Sequence, residues 1–530
     1  MARHRLVSLV VAGAVALAAA GTAGAATSSE FDGHHVQRLR VVVVPALNRG
    51  NLAALEREGA ALGLVVPNAG PRTSAADAFA GMVRGILYNG RLSRPKDSIL
   101  IRVEHSRTVP THGPAIVLAM PPQHTVSNTE RYPIAVLGRG YHGILVSKLT
   151  KVPGLVSMAD VARTALATSN RLGSRPARHP RAALSALEAR IVASRGSTMA
   201  GSVLVLSLLV FFALLYPRGA PAAIGAALGE NLLLGWWGGD DPVANVALLG
   251  VCLVLGGLLG PRVLRSKAAL GLFLGGVVAA YAVAMAVHPS ALSLAPMGPE
   301  LTSRFFGVSN LIETLLLAPA LLAGKLLGER FGPGAFAAVA VLSLATIAEN
   351  QLGADGGGAF VVAVAFALLA AGMWARSWLS AVPALALAAL AAFALLDVDA
   401  ATKSPDHLSG ALHGGVHGLV RVAVNRVPLS YDRILEQWWL LFPGIPAVCV
   451  GVAAVRYARS RADAALVLSL LAGLATSVVL NDSPGAVAIA GLASLLALES
   501  GLLHRGLVVP LLRRFDLSPA PAVGSPRPQE

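Results

Sequence analysis

The stretch Ser303-Arg304-Phe305-Phe306-Gly307-Val308-Ser309-Asn310-Leu311-Ile312-Glu313 sets three polar groups at the start of a long apolar run. Asn310 and Glu313 are three residues apart, so on a helix they share a face. Arg304 lies about one and two-thirds turns earlier at 3.6 residues per turn, and its long side chain can bend back. A guanidinium, an amide and a carboxylate at the mouth of such a run suit a cation, a polar head group or a group-transfer reaction. Ionisable groups in hydrocarbon are costly unless paired, so they default to functional candidates. Further on, Leu352-Gly353-Ala354-Asp355 leads into Gly356-Gly357-Gly358, whose backbone N–H groups a ligand can approach closely. Glu349 and Asn350 close the apolar run before it. We group Arg304, Asn310, Glu313, Asn350 and Asp355 as the lining of one ligand-binding cavity. The plainer alternative is that each caps a helix end or snorkels to the interface.

Asp406-His407 with His413 and His417 tempts a metal assignment, because the latter pair, at i and i+4, shares a helix face that suits zinc. The stretch His407 to Val424 reads better as an amphipathic helix lying at the interface, weakened by Gly414, Gly415 and Gly418. No metal or other cofactor is assigned, and Asp406 and His407 stay as weaker candidates. Cys252 and Cys449 both fall inside apolar runs, which excludes a disulfide framework or a Cys-rich metal site.

The elements that must position these groups follow from composition. Apolar residues make up 55% of the 530 residues and charged residues 13%, against about 25% charged in soluble chains. Mean hydropathy is +0.65. Apolar runs recur from about residue 199 onward and read as about eleven membrane spans: 199–217, 219–237, 244–260, 267–288, 305–324, 333–350, 358–375, 377–396, 437–455, 463–480 and 484–503. Alternate connections carry Arg218; Arg262, Arg265 and Lys267; Lys325 and Arg330; Arg376; Arg456, Arg459 and Arg461; and Arg505, Arg513 and Arg514. The opposite short connections carry Asp240, Asp241, Asp355 and Asp482, so the positive-inside rule orients the chain. The net charge is +15, and the bilayer rather than nucleic acid is the expected partner.

Residues 1–25 have a basic flank, an apolar core from Leu6 to Ala20 and the small-residue site Ala23-Gly24-Ala25, a signal peptide. The chain immediately after this segment is then extracytoplasmic. Residues 26–195 contain short apolar runs rich in β-branched residues at 41–44, 98–103, 115–119 and 133–137, alternating with helical spacing over 53–62 and 75–88. That predicts an α/β domain with a largely parallel sheet, followed by a short helix into the membrane. The remaining divisions are a multi-span helical domain over 196–505, with an outer loop at 397–436, and a disordered cytoplasmic tail at 506–530.

Residues 132–166 run from Tyr132-Pro133-Ile134-Ala135-Val136-Leu137 through Pro153-Gly154-Leu155-Val156-Ser157-Met158-Ala159-Asp160 to Thr164-Ala165-Leu166. This resembles the late segment of the alkaline phosphatase-like superfamily, and in particular a group of uncharacterised actinobacterial-type membrane proteins with such a domain outside the cell. Ser303–Asn310 and Gly353–Gly358 also look like that group's motifs. The resemblance implies a fold more than an activity. Active superfamily members bind two metals through Asp and His at strand ends, and a Ser or Thr at a helix N-terminus attacks the phosphoryl group. Here Pro45-Ala46-Leu47 and Pro121-Pro122 stand where those ligands are expected. Thr73 or Ser74 matches the nucleophile position, and His142 and Asp160 are isolated candidates. Asp160 equally suits a helix N-terminal carboxylate. The expectation is a pseudoenzyme of the plasma membrane, C-terminus in the cytoplasm. Its ectodomain handles a phosphorylated or glycan-bearing envelope lipid over an outward-facing cavity. A membrane-embedded phospho- or glycosyltransferase and a secondary transporter are the alternatives.

Overall fold

The computed structural model describes residues 39–67, 72–85, 101–121, 126–127, 130–168, 171–299, 301, 305–349, 356–375, 441–456, 458, 460–480 and 484–503. The expected signal peptide, Arg304, Asn350, Asp355, the span expected at 377–396, the loop expected at 397–436 with Asp406 and His407, and the 506–530 tail lie outside the described residues.

The N-terminal part is an α/β domain. β1 (Arg40–Val44) runs into α1 (Arg49–Arg57), where Asn48 and Asn51 cap each other: each side-chain oxygen accepts the other's amide, at 2.9 and 3.2 Å. Gly59, at φ +81°, then turns the chain sharply back. β2 (Ala61–Val66) begins where the spacing suggests helix to Leu62. The stop at Gly59 outweighs that spacing, because only glycine takes this left-handed conformation without strain.

Next come β3 (Arg72–Thr73), α2 (Ala75–Arg84), β4 (Val103–His105), β5 (Ala115–Ala119), β6 (Val126–Ser127), β7 (Tyr132–Leu137), β8 (Gly143–Val146), β9 (Leu155–Ser157), α3 (Ala159–Ala165) and β10 (Gly173–Arg175). Of the strand expected over 98–103, residues 98–100 lie outside the described residues, and β4 takes up Val103–His105. The main sheet has the order β10-β8-β2-β7-β5-β1-β4, with β9 also on β2. It is mixed rather than largely parallel: β1 pairs with β4 and β5 in parallel, but β7 is antiparallel to both β2 and β5. Among the described residues no crossover helix separates β5 from β7, only twelve residues apart, and without one a parallel return is not available.

Both faces of the sheet are covered, which explains the unbroken apolar runs in its strands. Val41, Val43, Ile116, Leu118, Ile134 and Val136 meet Met82 of α2 and Val161 of α3. Val42, Val44, Val117 and Ala135 meet Leu55 of α1 and Leu184 on the far side.

Leu184 belongs to α4 (Pro180–Leu215), one helix of 36 residues, roughly 54 Å long at 1.5 Å per residue. In place of a separate short helix before the membrane, the chain builds one continuous rod, and the 195/196 division falls inside it. Arg131 fixes its first part through a two-pronged pair with Glu188 at 2.6 and 2.8 Å. The second part is apolar, with Val203, Phe211 and Leu215 exposed on its flank.

The rest is a helical bundle: α5 (Ala220–Trp237), α6 (Pro242–Val263), α7 (Lys267–Val287), α8 (Ser290–Ser293), α9 (Asn310–Phe331), α10 (Pro333–Ala348), α11 (Gly356–Trp374), α12 (Leu441–Arg456), α13 (Arg461–Leu480) and α14 (Pro484–Leu503). Among the described residues six helices, α4, α6, α7, α9, α11 and α13, are long and apolar enough to cross a membrane, and α10, α12 and α14 are shorter apolar helices. The chain is a multi-pass membrane protein. At its centre stands α9, buried from Ile312 to Gly328 and packed against α7, α10, α11, α13 and α14. It begins at Asn310 and not at 305, because Ser309 caps it.

Candidate functional site

Two regions can hold a ligand. The first surrounds the start of α9. Ser309 Oγ accepts the Ile312 amide at 3.2 Å and donates to the Met297 carbonyl at 2.8 Å. The Met297 amide in turn donates to Asn231 Oδ1 at 2.9 Å. Asn231 Nδ2 donates to the Tyr281 hydroxyl at 3.3 Å, which donates to the Leu228 carbonyl at 3.0 Å. Asn231, Tyr281 and Glu313 are each 0% exposed, so this polar line runs through an apolar interior. Glu313 sits in the first turn of α9, its amide on the Ser309 carbonyl at 2.8 Å. Only Gly332 separates α9 from α10, so the two run antiparallel and Glu349, the C-cap of α10, stands at the same end as Asn310 and Glu313. Such a cluster can hold a cation or the polar head of a lipid.

The second region is a cavity of about 470 Å³ in the sheet domain, lined by Pro45, Ala46, Asn48, Asn51, Arg107 and Thr108, among others. It lies past the carboxyl ends of β1 and β4, the position at which open α/β sheets take their ligands. The Arg107 guanidinium gives it a charge suited to an oxyanion. Sequence reasoning misses Arg107, since it falls in a stretch with no periodicity.

The remaining sequence candidates do not converge. Thr73 is on β3, paired with Val126. Ser74 is the N-cap of α2, its Oγ accepting the Asp77 amide at 3.1 Å and donating to the Asp77 carboxylate at 2.7 Å. His142 is exposed, with its backbone amide on Ser174 Oγ. Asp160 is buried at the start of α3, accepting from Ser147 Oγ at 2.7 Å and from the Ser157 amide at 2.9 Å. None of these hydrogen bonds joins Ser74, His142 and Asp160 to one another. Among the described residues no three of His, Cys, Asp and Glu come together as metal ligands, and Pro45 and Pro121 end their strands without a donor. Among the described residues, those at these positions do not fit a two-metal phosphatase centre.

Burial pushes the Asp160 carboxyl up to about 6, against the opposing pull of its two hydrogen bonds and Arg163. The folded chain therefore keeps this proton where the unfolded chain has lost it. Stability should fall as pH rises from about 4 to about 6, by on the order of 3 kcal/mol, and level off above. Thermal unfolding across that range should show the slope, and Asp160→Asn should flatten it. An unchanged slope in that variant would assign the dependence elsewhere.

A third cluster has no counterpart in the sequence reading. Lys325, which the charge pattern places among the loop cations, is 2% exposed inside α9. Its ammonium meets Glu329 at 2.7 Å and Asp463 of α13 at 2.9 Å. The i, i+4 pairing with Glu329 inside an apolar run was the available signal.

Comparison of the chain with protein-family models, with curated proteins and with solved structures finds no match.

Proposed function

We propose that the protein is a cell-envelope membrane protein whose sheet domain binds, without turning over, the phosphorylated or glycan-bearing head of an envelope lipid. In this reading the domain is a degenerate alkaline phosphatase-like module outside the cytoplasm, above a bundle of eleven spans with a cytoplasmic C-terminus. The observation that carries it is the cavity beside Arg107, with Pro45 and Pro121 ending the strands where catalytic ligands would have to stand. The charge alternation between connections supports the orientation. A membrane-embedded transferase working through Arg304, Glu313 and Asp355 is the second reading, favoured by the complete burial of Glu313 in α9.

The test uses the full chain in nanodiscs containing a polyprenyl phosphate, with the uncharged polyprenol as control. The phosphate form should bind more tightly. Arg107→Ala should weaken that binding about tenfold or more, the effect of losing a charge-assisted hydrogen bond. Equal binding of the two lipids would refute the reading, and chelator-sensitive release of phosphate would make the domain an enzyme. Reporter fusions after Asp241 and Asp482 should report outside, and a fusion after Lys267 inside.

A further inference from the structure

The described residues between His288 and Ser309 touch both halves of the molecule. On one side Leu294, Leu301 and Phe305 share a hydrophobic cluster with Val66, Leu149, Val152, Leu155 and Ala159 of the sheet domain and Ile191 of α4. Lys151 stands 3.6 Å over the Phe306 ring. Two residues at this contact, Lys151 at φ +54° and Leu301 at φ +58°, hold left-handed backbone that a non-glycine residue adopts only when its surroundings enforce it. From α4, Ser194 Oγ donates to the Ala295 carbonyl at 3.0 Å, and Arg195 reaches the Ser293 and Gly298 carbonyls at 3.0 and 3.3 Å. The opposite side of the segment is held by Asn231 through the Met297 amide, and the Met297 carbonyl accepts from Ser309, the cap of α9.

We propose that this segment couples the sheet domain to the first turn of α9, with Asn231 and Ser309 as positioning residues that carry the domain's placement to Asn310 and Glu313. The physical ground is that each joint is a discrete contact in a dry interior. A buried amide such as Asn231 must keep its partners, because hydrocarbon offers no replacement. A shift of the sheet domain that moves Leu301 or Phe306 then has to move Met297, and with it the cap. This coupling needs no particular ligand. It stands or falls apart from the lipid reading.

The test is amide hydrogen exchange on the intact chain in nanodiscs, comparing residues 309–316 with residues 322–330 at the other end of α9. Asn231→Leu should speed exchange at 309–316 about tenfold or more, leaving 322–330 unchanged. Tyr281→Phe, a milder change that removes one partner of Asn231, should act in the same direction. Lys151→Ala, on the sheet-domain side of the contact, should also speed exchange at 309–316. Ser309→Thr should behave as the parent, because the capping hydroxyl is kept, and Ser309→Ala should not. If Lys151→Ala leaves 309–316 unchanged, the segment merely braces the bundle and the coupling is wrong. Uniform loosening of both peptides would overturn it equally.

Discussion

Lys325→Ala is expected to destabilise the bundle by about 3–5 kcal/mol, the usual result of removing one partner from a buried ion pair. The ammonium is almost fully enclosed between α9 and α13, and its loss strands the Asp463 carboxylate, 16% exposed, where water replaces the charge only in part. Asp463 is also the acceptor of the Ser460 hydroxyl at 2.8 Å, so its geometry is set independently of Lys325 and it cannot swing away freely. Combining Lys325→Met with Asp463→Leu should recover most of the loss, because neither charge then remains without its counterpart. Glu329, 35% exposed, can reach solvent by itself. Thermal stability of the detergent-solubilised chain is the measurement. A single variant as stable as the parent would show that the pair contributes nothing.

Gly235→Ala is expected to be nearly as damaging, at about 3 kcal/mol, the upper range for overpacking a filled interior. A Cβ at this position would overlap the Ala291 carbonyl oxygen, so α5 and α8 would have to separate. Backbone cannot rotate aside as a side chain can, and small residues are what permit such close approach between membrane helices. The Gly235 carbonyl also accepts from Arg190, which ties the same spot to α4. Gly276 in α7 is the control. Nothing lies within 4 Å of its would-be Cβ, and alanine there should stabilise the helix by about 0.5–1 kcal/mol. Opposite signs from one chemical change would separate packing from propensity. Matching signs would contradict the close approach at Gly235.

The parts of this fold that are legible in the sequence are those set by near neighbours and by the solvent. The span expected at 267–288 is found as Lys267–Val287, and the apolar run at 484–503 is helical as Pro484–Leu503. Hydrocarbon demands an apolar run of helical length, and caps such as Ser266 and Ser309 act within one turn. Asn310 and Glu313 are recognisable as unusual for the same reason: a carboxylate in such a run stands out whatever surrounds it. Local signs can also mislead, as at Gly59, where the helix stops and β2 begins. Other features were decided only by tertiary structure. Arg107 became part of a cavity because β1 and β4, about sixty residues apart in sequence, pair in parallel and bring their ends together. Lys325 looks like an interface cation until α13 supplies Asp463. The polar line from Tyr281 through Asn231 and Met297 to Ser309 joins four separate stretches of chain, none of which carries a sign of the others. Their partners are chosen by the packing of whole helices, in which a buried polar group takes whichever donor or acceptor the bundle brings within about 3 Å.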